Sequence, residues 1–349
     1  MGDQFPTARL AAVQAASVFL DREGSVQKAC RLIAEAGREG AEIVGFPEGF
    51  VPAHPIWFHF QPASGPVSMQ LARELFKNAV EIPSAETDAL GTACRDAGVI
   101  AVIGVCEKEP DTTGTMYNTQ LIIDRDGSII GRHRKLVPTL GERIVHAPGG
   151  GNTLTAVPTH LGPLGALACG ENANPLAVFV LAVQSVVVHV AAWPSLFSVG
   201  VDMIEAVEAR TKGLAQTLRC FVINSLGVVD EAAIEACASN EEDRAAMLRA
   251  AGAGGSSILN PRGSYLAGPM EGGEGILYAQ ADFEDVLIPK IVMDMGGHYN
   301  RFDVFRVLIN AGSEEIDLTS SGARGGFRVG VPLFSDAPVE PQVREEPET

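Results

Sequence analysis

The chain has 349 residues, of which 46% are hydrophobic and 20% charged, proportions typical of a globular protein with a sizeable core. Its net charge of −17, with no basic cluster, argues against nucleic acid as a partner, because such proteins neutralise phosphates with Lys and Arg. The six cysteines are scattered, without the spacing of a zinc site or the density of a disulfide framework, so we expect neither.

The first part of the chain alternates short apolar runs with segments of helical spacing. The predicted elements are strands at 8–15, 41–46 and 99–107, helices at 25–40, 69–80 and 86–97, and a hairpin of strands 117–124 and 128–134. The hairpin turns at Asp126-Gly127, a dipeptide typical of tight turns between antiparallel strands.

The second part continues the alternation and adds strands after residue 255. Its predicted elements are strands at 153–158, 164–168, 186–192, 220–227, 256–259, 265–267 and 276–282, helices at 175–184 and 202–219, and a helical stretch at 231–251. No repeat or composition break marks a boundary, so we predict a single α/β domain with a mixed sheet at residues 1–331. The Pro- and Glu-rich residues 332–349 lack periodicity and are predicted to be a disordered tail.

We expect a cytoplasmic protein that does not cross a membrane. Asp3 and Pro6 interrupt the start of the chain, and no apolar segment of a signal peptide follows. Residues 176–193 are strongly apolar, but Gln184 and His189 interrupt them, which favours a helix followed by a buried strand over a membrane span.

Cys169 lies where a thiol can act as a nucleophile. An apolar strand is predicted to end directly before it, and a helix is predicted to begin soon after it, with Asn174 as N-cap and Pro175 as first residue. The positive end of such a helix favours a thiolate. The open alternative is that Cys169 is a buried core residue.

Glu48 and Lys135 also follow predicted strands directly. Active sites of open α/β sheets gather at the carboxyl ends of strands, so the two side chains and Cys169 are candidates to converge. Proton transfer from a free thiol, pKa about 8.5, to a free carboxylate, pKa about 4.3, is unfavourable by roughly 4 pKa units. Burial raises the pKa of the carboxylate and a neighbouring ammonium lowers the pKa of the thiol, so the difference between the two pKa values becomes smaller. The ammonium also stabilises negative charge that develops on a substrate.

Each of these residues has a structural alternative, and a Cys–His pair is a rival arrangement. Glu48 can cap a turn, and Lys135 can be a solvated loop charge. Histidine is the commoner base for a catalytic thiol, and the chain contains seven histidines. Of these, His189 lies in an apolar strand and is predicted to be a core residue. Spacing alone does not choose between Cys–His and Cys–Glu–Lys.

Three motifs, in order and each at a predicted strand end, resemble the signatures of the nitrilase superfamily of carbon–nitrogen hydrolases. They are F-P-E-G-F at 46–50, H-R-K-L-V-P-T at 133–139 and A-C-G-E-N at 168–172. The likeness extends over residues 8–310. It implies the family's four-layer α-β-β-α sandwich with mixed β-sheets.

The resemblance also implies a catalytic triad, with Glu48 as general base and acid, Lys135 as charge stabiliser and Cys169 as nucleophile. Glu142 matches the family's second glutamate, which helps to position substrate and triad. The implied reaction proceeds through a thioimidate and a thioester, and it needs neither a metal nor an organic cofactor.

Two further stretches favour the nitrilase branch of the superfamily over its amidase and carbamoylase branches. They are G-E-N-A-N-P-L-A at 170–177 and G-H-Y-N-R-F-D-V at 297–304. Gly170 stands where many nitrilases carry Trp, and Phe302 stands where Pro is usual. The expected activity is hydrolysis of an organic nitrile to a carboxylic acid and ammonia. The alternatives are an amidase or nitrile-to-amide hydrating activity from the same site, and a non-catalytic assembly or binding member.

The substrate pocket is expected to use an aromatic loop, the residues beside the nucleophile and the end of the following strand. The alternative for the aromatic residues is a core or subunit contact. In this family, insertions and tails serve assembly, so a homo-oligomer (a dimer or larger, including a spiral) is the expected state. The expected pocket residues are His54, Trp57, Gly170, Asn172, Trp193 and Pro194.

Overall fold

Two six-stranded sheets face each other at the centre of the fold, in a computed structural model that describes residues 3–195, 203–251, 253–305 and 307–310. The strands are β1 (Thr7–Gln14), β2 (Ile43–Gly45), β3 (Ile100–Lys108), β4 (Met116–Ile123), β5 (Ile129–Arg134), β6 (Val157–Thr159), β7 (Gly162–Ala168), β8 (Val188–Trp193), β9 (Phe221–Leu226), β10 (Ser257–Leu259), β11 (Tyr265–Ala267) and β12 (Gly275–Asp282).

The helices lie between and after these strands. They are α1 (Arg22–Arg38), α2 (Pro66–Asn78), α3 (Ala85–Ala97), α4 (Pro175–Val183), α5 (Met203–Leu218), α6 (Glu231–Cys237), α7 (Glu241–Ala251) and α8 (Leu287–Val292). In the ranges described, none is long and apolar enough to cross a membrane. The predicted tail at 332–349 lies outside the described residues, as does residue 202 of the predicted fifth helix.

Both sheets are mixed, as predicted. The first has the strand order β12-β1-β2-β3-β4-β5 and the second the order β11-β10-β9-β8-β7-β6. Within them, β1, β2 and β3 run parallel, as do β7, β8 and β9, while the outer strands are antiparallel. Because crossovers between parallel strands need helices, α1 to α5 fall between these strands and cover the sheets.

Three apolar clusters make the sandwich four layers thick. One packs α1 and α3 against the first sheet, with Ile33 and Leu90 among its members. A second packs α4 and α5 against the other sheet, with Leu181 and Leu214. The third fills the space between the sheets. The order helix–sheet–sheet–helix confirms the predicted α-β-β-α architecture.

Most predicted elements are present, and the differences have local causes. The helical stretch predicted at 231–251 is two helices, because the Asn240 side chain accepts a hydrogen bond from the amide of Asp243 and begins a new helix. The strand predicted at 153–158 was wrong over most of its length. Thr153 ends a 3-10 turn, and its hydroxyl binds Gly150 and Arg134 instead of joining a sheet.

The loop that follows β2 packs directly on β3 because β3 carries a glycine there. A Cβ at Gly104 would lie 2.2 Å from the carbonyl oxygen of Pro47 and 2.5 Å from the amide nitrogen of Gly49. The amide of Val51 donates to the Gly104 carbonyl at 3.0 Å. The backbone on either side of Glu48 is therefore held against the sheet.

We expect Gly104→Ala to destabilise the fold by about 1–3 kcal/mol, because both clashing atoms are backbone atoms that cannot rotate away. Chemical denaturation followed by circular dichroism measures this change. Gly213→Ala is the control, since open space surrounds that exposed helical position. Equal stability of Gly104→Ala and the wild type would contradict the close packing.

Candidate active site

Glu48 lies in the loop after β2, between the two sheets. Its side chain is buried, and its amide donates a hydrogen bond to the Trp193 carbonyl at the end of β8. Strand β2 itself lies against the second sheet, where a Cβ on Gly45 would be 2.8 Å from side-chain atoms of Val190 and Ile223. The carboxylate thus lies at the gap between the sheets.

The Lys135 ammonium joins two buried carboxylates. Its Nζ donates to Glu48 Oε1 at 2.8 Å and to Glu142 Oε2 at 2.7 Å. Asn118, on β4, makes a second bridge, because its Nδ2 donates to Glu48 Oε1 at 2.6 Å and to Glu142 Oε1 at 2.7 Å. Lys135 is placed there by β5, which pairs with β4, and its amide donates to the Asn118 carbonyl. The structure therefore brings Glu48, Lys135 and Glu142 together.

Glu142 belongs to a 3-10 turn, Leu140–Ile144, whose start it also caps. Its Oε2 accepts a hydrogen bond from the Thr139 amide at 2.8 Å. His146 Nδ1 lies 3.1 Å from Glu142 Oε1. Both carboxylate oxygens are therefore engaged within the protein, and a positioning role for Glu142 stays a prediction.

The two carboxyl groups have opposite pKa shifts. Burial raises the pKa of Glu48 to about 7, and the charge of Lys135 offsets only part of this rise. Burial also acts to raise the pKa of Glu142, but the hydrogen bond from His146 and the charge of Lys135 hold that pKa well below its usual range. Glu142 is therefore the ionised partner of the ammonium, and Glu48 is the carboxyl group that exchanges a proton near neutral pH.

Lys135 stays charged despite its burial. Desolvation acts to lower its pKa, but the carboxylates of Glu48 and Glu142 raise the pKa above the ordinary lysine value.

The ligand atoms of Glu48, His54 and Glu142 lie within 4.8 Å of one another, a spacing compatible with a metal ion. Lys135 contacts both of these carboxylates and supplies the positive charge that they require.

Cys169 begins the 3-10 turn Cys169–Ala173 directly after β7, in a left-handed backbone conformation with φ of 52°. For a non-glycine residue this conformation is strained, which is common at functional sites. Burial raises the pKa of the thiol to about 12; the charge of Glu48 adds to this rise and that of Lys135 opposes it. At neutral pH the thiol therefore needs a base. The expected helix start is present, with Asn174 as N-cap of α4, and its effect on the thiolate stays a prediction.

The sequence analysis missed Glu171, which links the Lys135 and Cys169 loops. Its buried carboxylate accepts hydrogen bonds from the Leu136 amide at 2.6 Å and the Ala168 amide at 3.2 Å, and His133 Nε2 lies 3.1 Å away. Asn118 and His146 were missed as well. The available signal for Glu171 was its position as the one charged residue between 163 and 193, within the same motif as the cysteine.

Asn172 supports the cysteine loop from within the protein. Its Nδ2 donates to the carbonyl oxygens of Leu167 at 3.2 Å and Cys169 at 3.0 Å, and its Oδ1 lies 2.9 Å from His189 Nε2. His189 is fully buried, which confirms its prediction as a core residue. A substrate contact for Asn172 stays a prediction.

The other predicted pocket residues fall into two groups. His54 lies beside Glu48, with its Nδ1 3.7 Å from Glu48 Oε1, and a Cβ on Gly170 would meet open space. Trp57 is fully buried among Phe19 and Phe58, which favours the alternative of a core contact.

Trp193 is also fully buried, and Cys169 packs against the cluster that it forms with Val207 and Leu226. Pro194 follows it and is half-buried. The structure therefore packs Trp193 against Cys169 in the core and leaves Gly170 as an open position next to that cysteine in the chain.

Comparisons with known proteins identify the family of the chain. Residues 9–287 match the family model of carbon–nitrogen hydrolases. An aliphatic nitrilase from Rhodococcus rhodochrous is 36% identical over 311 residues, which cover 87% of this chain and 83% of the relative. A nitrilase from Paraburkholderia phymatum is 35% identical over 314 residues, covering 89% and 88%. An arylacetonitrilase from Aspergillus niger is 33% identical over 312 residues, covering 87% and 92%.

Solved structures show the same fold at lower identity. A carbon–nitrogen hydrolase from Helicobacter pylori superposes with a TM-score of 0.64 at 19% identity, covering 82% of this chain and 93% of that one. A nitrilase-superfamily member from Saccharomyces cerevisiae gives 0.63 at 22% identity, covering 82% and 94%. At such identities the likeness concerns the fold.

The pKa of Glu48 predicts how the reactivity of the thiol depends on pH. Because only the ionised carboxylate can accept the thiol proton, alkylation of Cys169 by iodoacetamide should rise about tenfold per pH unit below pH 7 and level off above it. Glu48→Gln should slow alkylation at pH 8 by about 10²–10⁴-fold and remove the levelling near pH 7, so that the rate goes on rising with pH as the thiol itself ionises. Intact-mass spectrometry over time gives the rate, and Cys169→Ala identifies the labelled site.

Glu23→Gln is the matched control, since that residue is an exposed glutamate in the first turn of α1. A Glu48→Gln protein with the wild-type pH profile would remove Glu48 as the base.

Proposed function

The chain belongs to the carbon–nitrogen hydrolase family, and we propose that it is a nitrilase, which converts an organic nitrile and two waters to a carboxylic acid and ammonia. The observation that carries the proposal is the buried Glu48–Lys135–Glu142 cluster, whose charges act on the thiol of Cys169. The names of its relatives, which cover most of the chain, favour a nitrile over other carbon–nitrogen bonds.

In the first step, Cys169 attacks the nitrile carbon. Glu48 accepts the thiol proton, the sulfur forms a bond to carbon, and one π bond of the nitrile opens onto nitrogen. Negative charge that develops on this nitrogen is stabilised by the Lys135 ammonium. Glu48 then delivers its proton to the nitrogen, which gives a neutral thioimidate on the sulfur.

Two water molecules complete the reaction. The first adds to the thioimidate carbon while Glu48 accepts its proton, and the resulting tetrahedral intermediate holds sulfur, oxygen and nitrogen. Glu48 passes this proton to the nitrogen and then transfers the proton of the new hydroxyl to the nitrogen as the carbon–oxygen double bond forms, so that the carbon–nitrogen bond breaks and ammonia leaves a thioester. The second water adds in the same way, the carbon–sulfur bond breaks, and the sulfur recovers its proton as the acid leaves. Glu48 alternates between base and acid, which suits a pKa near 7.

The same tetrahedral intermediate gives the alternative activity. If its carbon–sulfur bond breaks before its carbon–nitrogen bond, the product is an amide and Cys169 is free again. The position of the proton decides between the two paths, because a neutral amine leaves poorly and an ammonium leaves well. The proton that Glu48 holds therefore favours acid over amide.

A panel of aliphatic, aromatic and arylacetonitrile substrates tests the proposal. We expect ammonia and acid from at least one class, and Cys169→Ala should lower ammonia release at least about a thousandfold because the nucleophile is lost. Chromatography gives the acid-to-amide ratio. Cys30→Ala is the matched control, because Cys30 is half-buried on α1 and makes no contact with the triad. Turnover of amides without any nitrile would assign the chain to the amidase alternative.

We also propose that the protein is a homo-oligomer. An apolar groove of about 620 Å³ runs between the start of α4 and the C-terminal part of the described chain. Its lining residues Leu176, Tyr299 and Phe305 are 63%, 54% and 65% exposed in a single chain. Contact with a second copy would remove this apolar surface from water.

Light scattering after gel filtration should give a mass at least twice the 36.7 kDa of one chain. Leu176→Asp should shift the protein toward the monomer, because the contact would bury an unpaired charge. Met69→Asp, at an exposed apolar position on α2 outside the groove, is the control. A wild-type monomer would contradict the proposal.

A cytoplasmic location fits the same chemistry. All six cysteines are free, and the nucleophile must stay reduced to react. Reducing compartments maintain thiols in that state.

A further inference from the structure

Several buried polar atoms at the site have no hydrogen-bond partner among the described residues, and two of them belong to Glu48 and His54. Glu48 Oε1 is engaged by Lys135 and Asn118, whereas Glu48 Oε2 is not. His54 Nδ1 is likewise unpartnered. It lies 3.7 Å from Glu48 Oε1, which is too long for a direct hydrogen bond.

Both residues line one small cavity. Its volume is about 30 Å³, and Glu48, His54, Ser195 and Gly227 are among its lining residues. A cavity of about 10–15 Å³ holds one water, so this one has room for one or two. Buried polar groups in native proteins are usually satisfied by protein or by ordered water. The cavity therefore has the size of a water site, and two of the residues that line it carry a buried polar atom without a partner.

The loop that carries His54 is built to hold the ring in this place. Gly49 has a left-handed backbone with φ of 61°, and a Cβ there would lie 3.0 Å from His54 Cα, so the chain can fold back on itself. Cys106 Sγ donates to the Ala53 carbonyl at 3.2 Å, and the Ile56 amide donates to the His54 carbonyl at 2.8 Å. These contacts fix the backbone on both sides of the ring.

We propose that His54 Nδ1 and the Glu48 carboxylate together bind the hydrolytic water and orient it for attack. This proposal rests on the proposed hydrolysis of nitriles and adds a water-binding residue to it. Glu48 Oε2 accepts one hydrogen of the water and His54 Nδ1 accepts the other, which leaves an oxygen lone pair for the substrate carbon. On attack, the water oxygen bonds to that carbon and its proton passes to Glu48.

The protonation state of His54 agrees with this role. Burial lowers the pKa of His54 to about 3; the charge of Glu142 opposes this shift, and that of Lys135 adds to it. The imidazole is therefore neutral at neutral pH. In the tautomer with the proton on Nε2, Nδ1 is a hydrogen-bond acceptor.

His54 should therefore serve only the steps that consume water. Attack of the thiol on the nitrile uses Glu48 but no water, whereas hydrolysis of the thioimidate and of the thioester each uses one. His54→Phe keeps a ring of similar volume without nitrogen atoms. His54→Asn places a polar atom near the position of Nδ1, and His54→Gln places one near that of Nε2.

Rapid quenching followed by intact-mass spectrometry separates these steps. With the best nitrile of the panel, we expect thiol acylation in His54→Phe within about threefold of wild type and steady-state ammonia release about a hundredfold slower. A covalent adduct on Cys169 should then accumulate. His54→Gln should resemble His54→Phe, and His54→Asn should remain within about tenfold of wild type without adduct.

Para-nitrophenyl acetate provides a test that needs no nitrile turnover, because it forms the thioester on Cys169 directly and the thioester then needs one water. A failure of nitrile hydrolysis in the wild type would refute the proposed function, while decay of this acetyl adduct would still report on the water site. The proposal would be overturned if the acetyl adduct decayed at equal rates in the wild type and His54→Phe. It would also be overturned if His54→Asn and His54→Gln lowered that decay rate equally. If His54→Phe does not fold by circular dichroism, the Asn and Gln pair decides.

Discussion

The ammonium of Lys135 between two buried carboxylates is the interaction on which the site depends. Glu48 and Glu142 both lie away from water, where two negative charges against one positive charge are costly. The two carboxyl groups differ in pKa, which reduces the cost of this charge imbalance. Glu142 receives additional hydrogen bonds from Thr139 and His146 and stays ionised, while Glu48 keeps one oxygen without a partner and titrates near neutrality.

The two sheets contribute different parts of this arrangement. Glu48, Lys135 and Glu142 follow strands of the first sheet, and Cys169 follows a strand of the second. Among the contacts that join the two sheets, two involve residues of the site. The Glu48 amide binds the Trp193 carbonyl, and Glu171 binds the loops of both Lys135 and Cys169. Position of the reactive groups is therefore set by sheet packing as much as by the loops themselves.

Sequence reasoning found the strand-end residues because strand ends are visible in hydrophobic patterning. The alternation of apolar runs and helical spacing gave the mixed α/β sheets, and the three motifs gave Glu48, Lys135 and Cys169. Asn118 was not visible in this way, because it is one polar residue within a strand and meets Glu48 only through sheet pairing. The same holds for His146 and Glu171, whose partners are known only once the loops are folded. The strand predicted at 153–158 was wrong for a local reason. Thr153 is a residue type that favours strands, but its hydroxyl has a hydrogen-bond partner within its own turn.

Strand β12 connects the two halves of the chain, because it belongs to the sheet that the first half builds. This strand comes from the far end of the described chain, yet it pairs along the whole of β1 and completes the sheet that carries Glu48 and Lys135. A cut between β5 and β6 would thus leave Glu48 and Lys135 on one fragment with an incomplete sheet, and Cys169 on the other fragment with a spare strand. The two fragments complement each other in structure and in chemistry. In a split form of the protein, recovered activity would therefore report directly that the two sheets have docked.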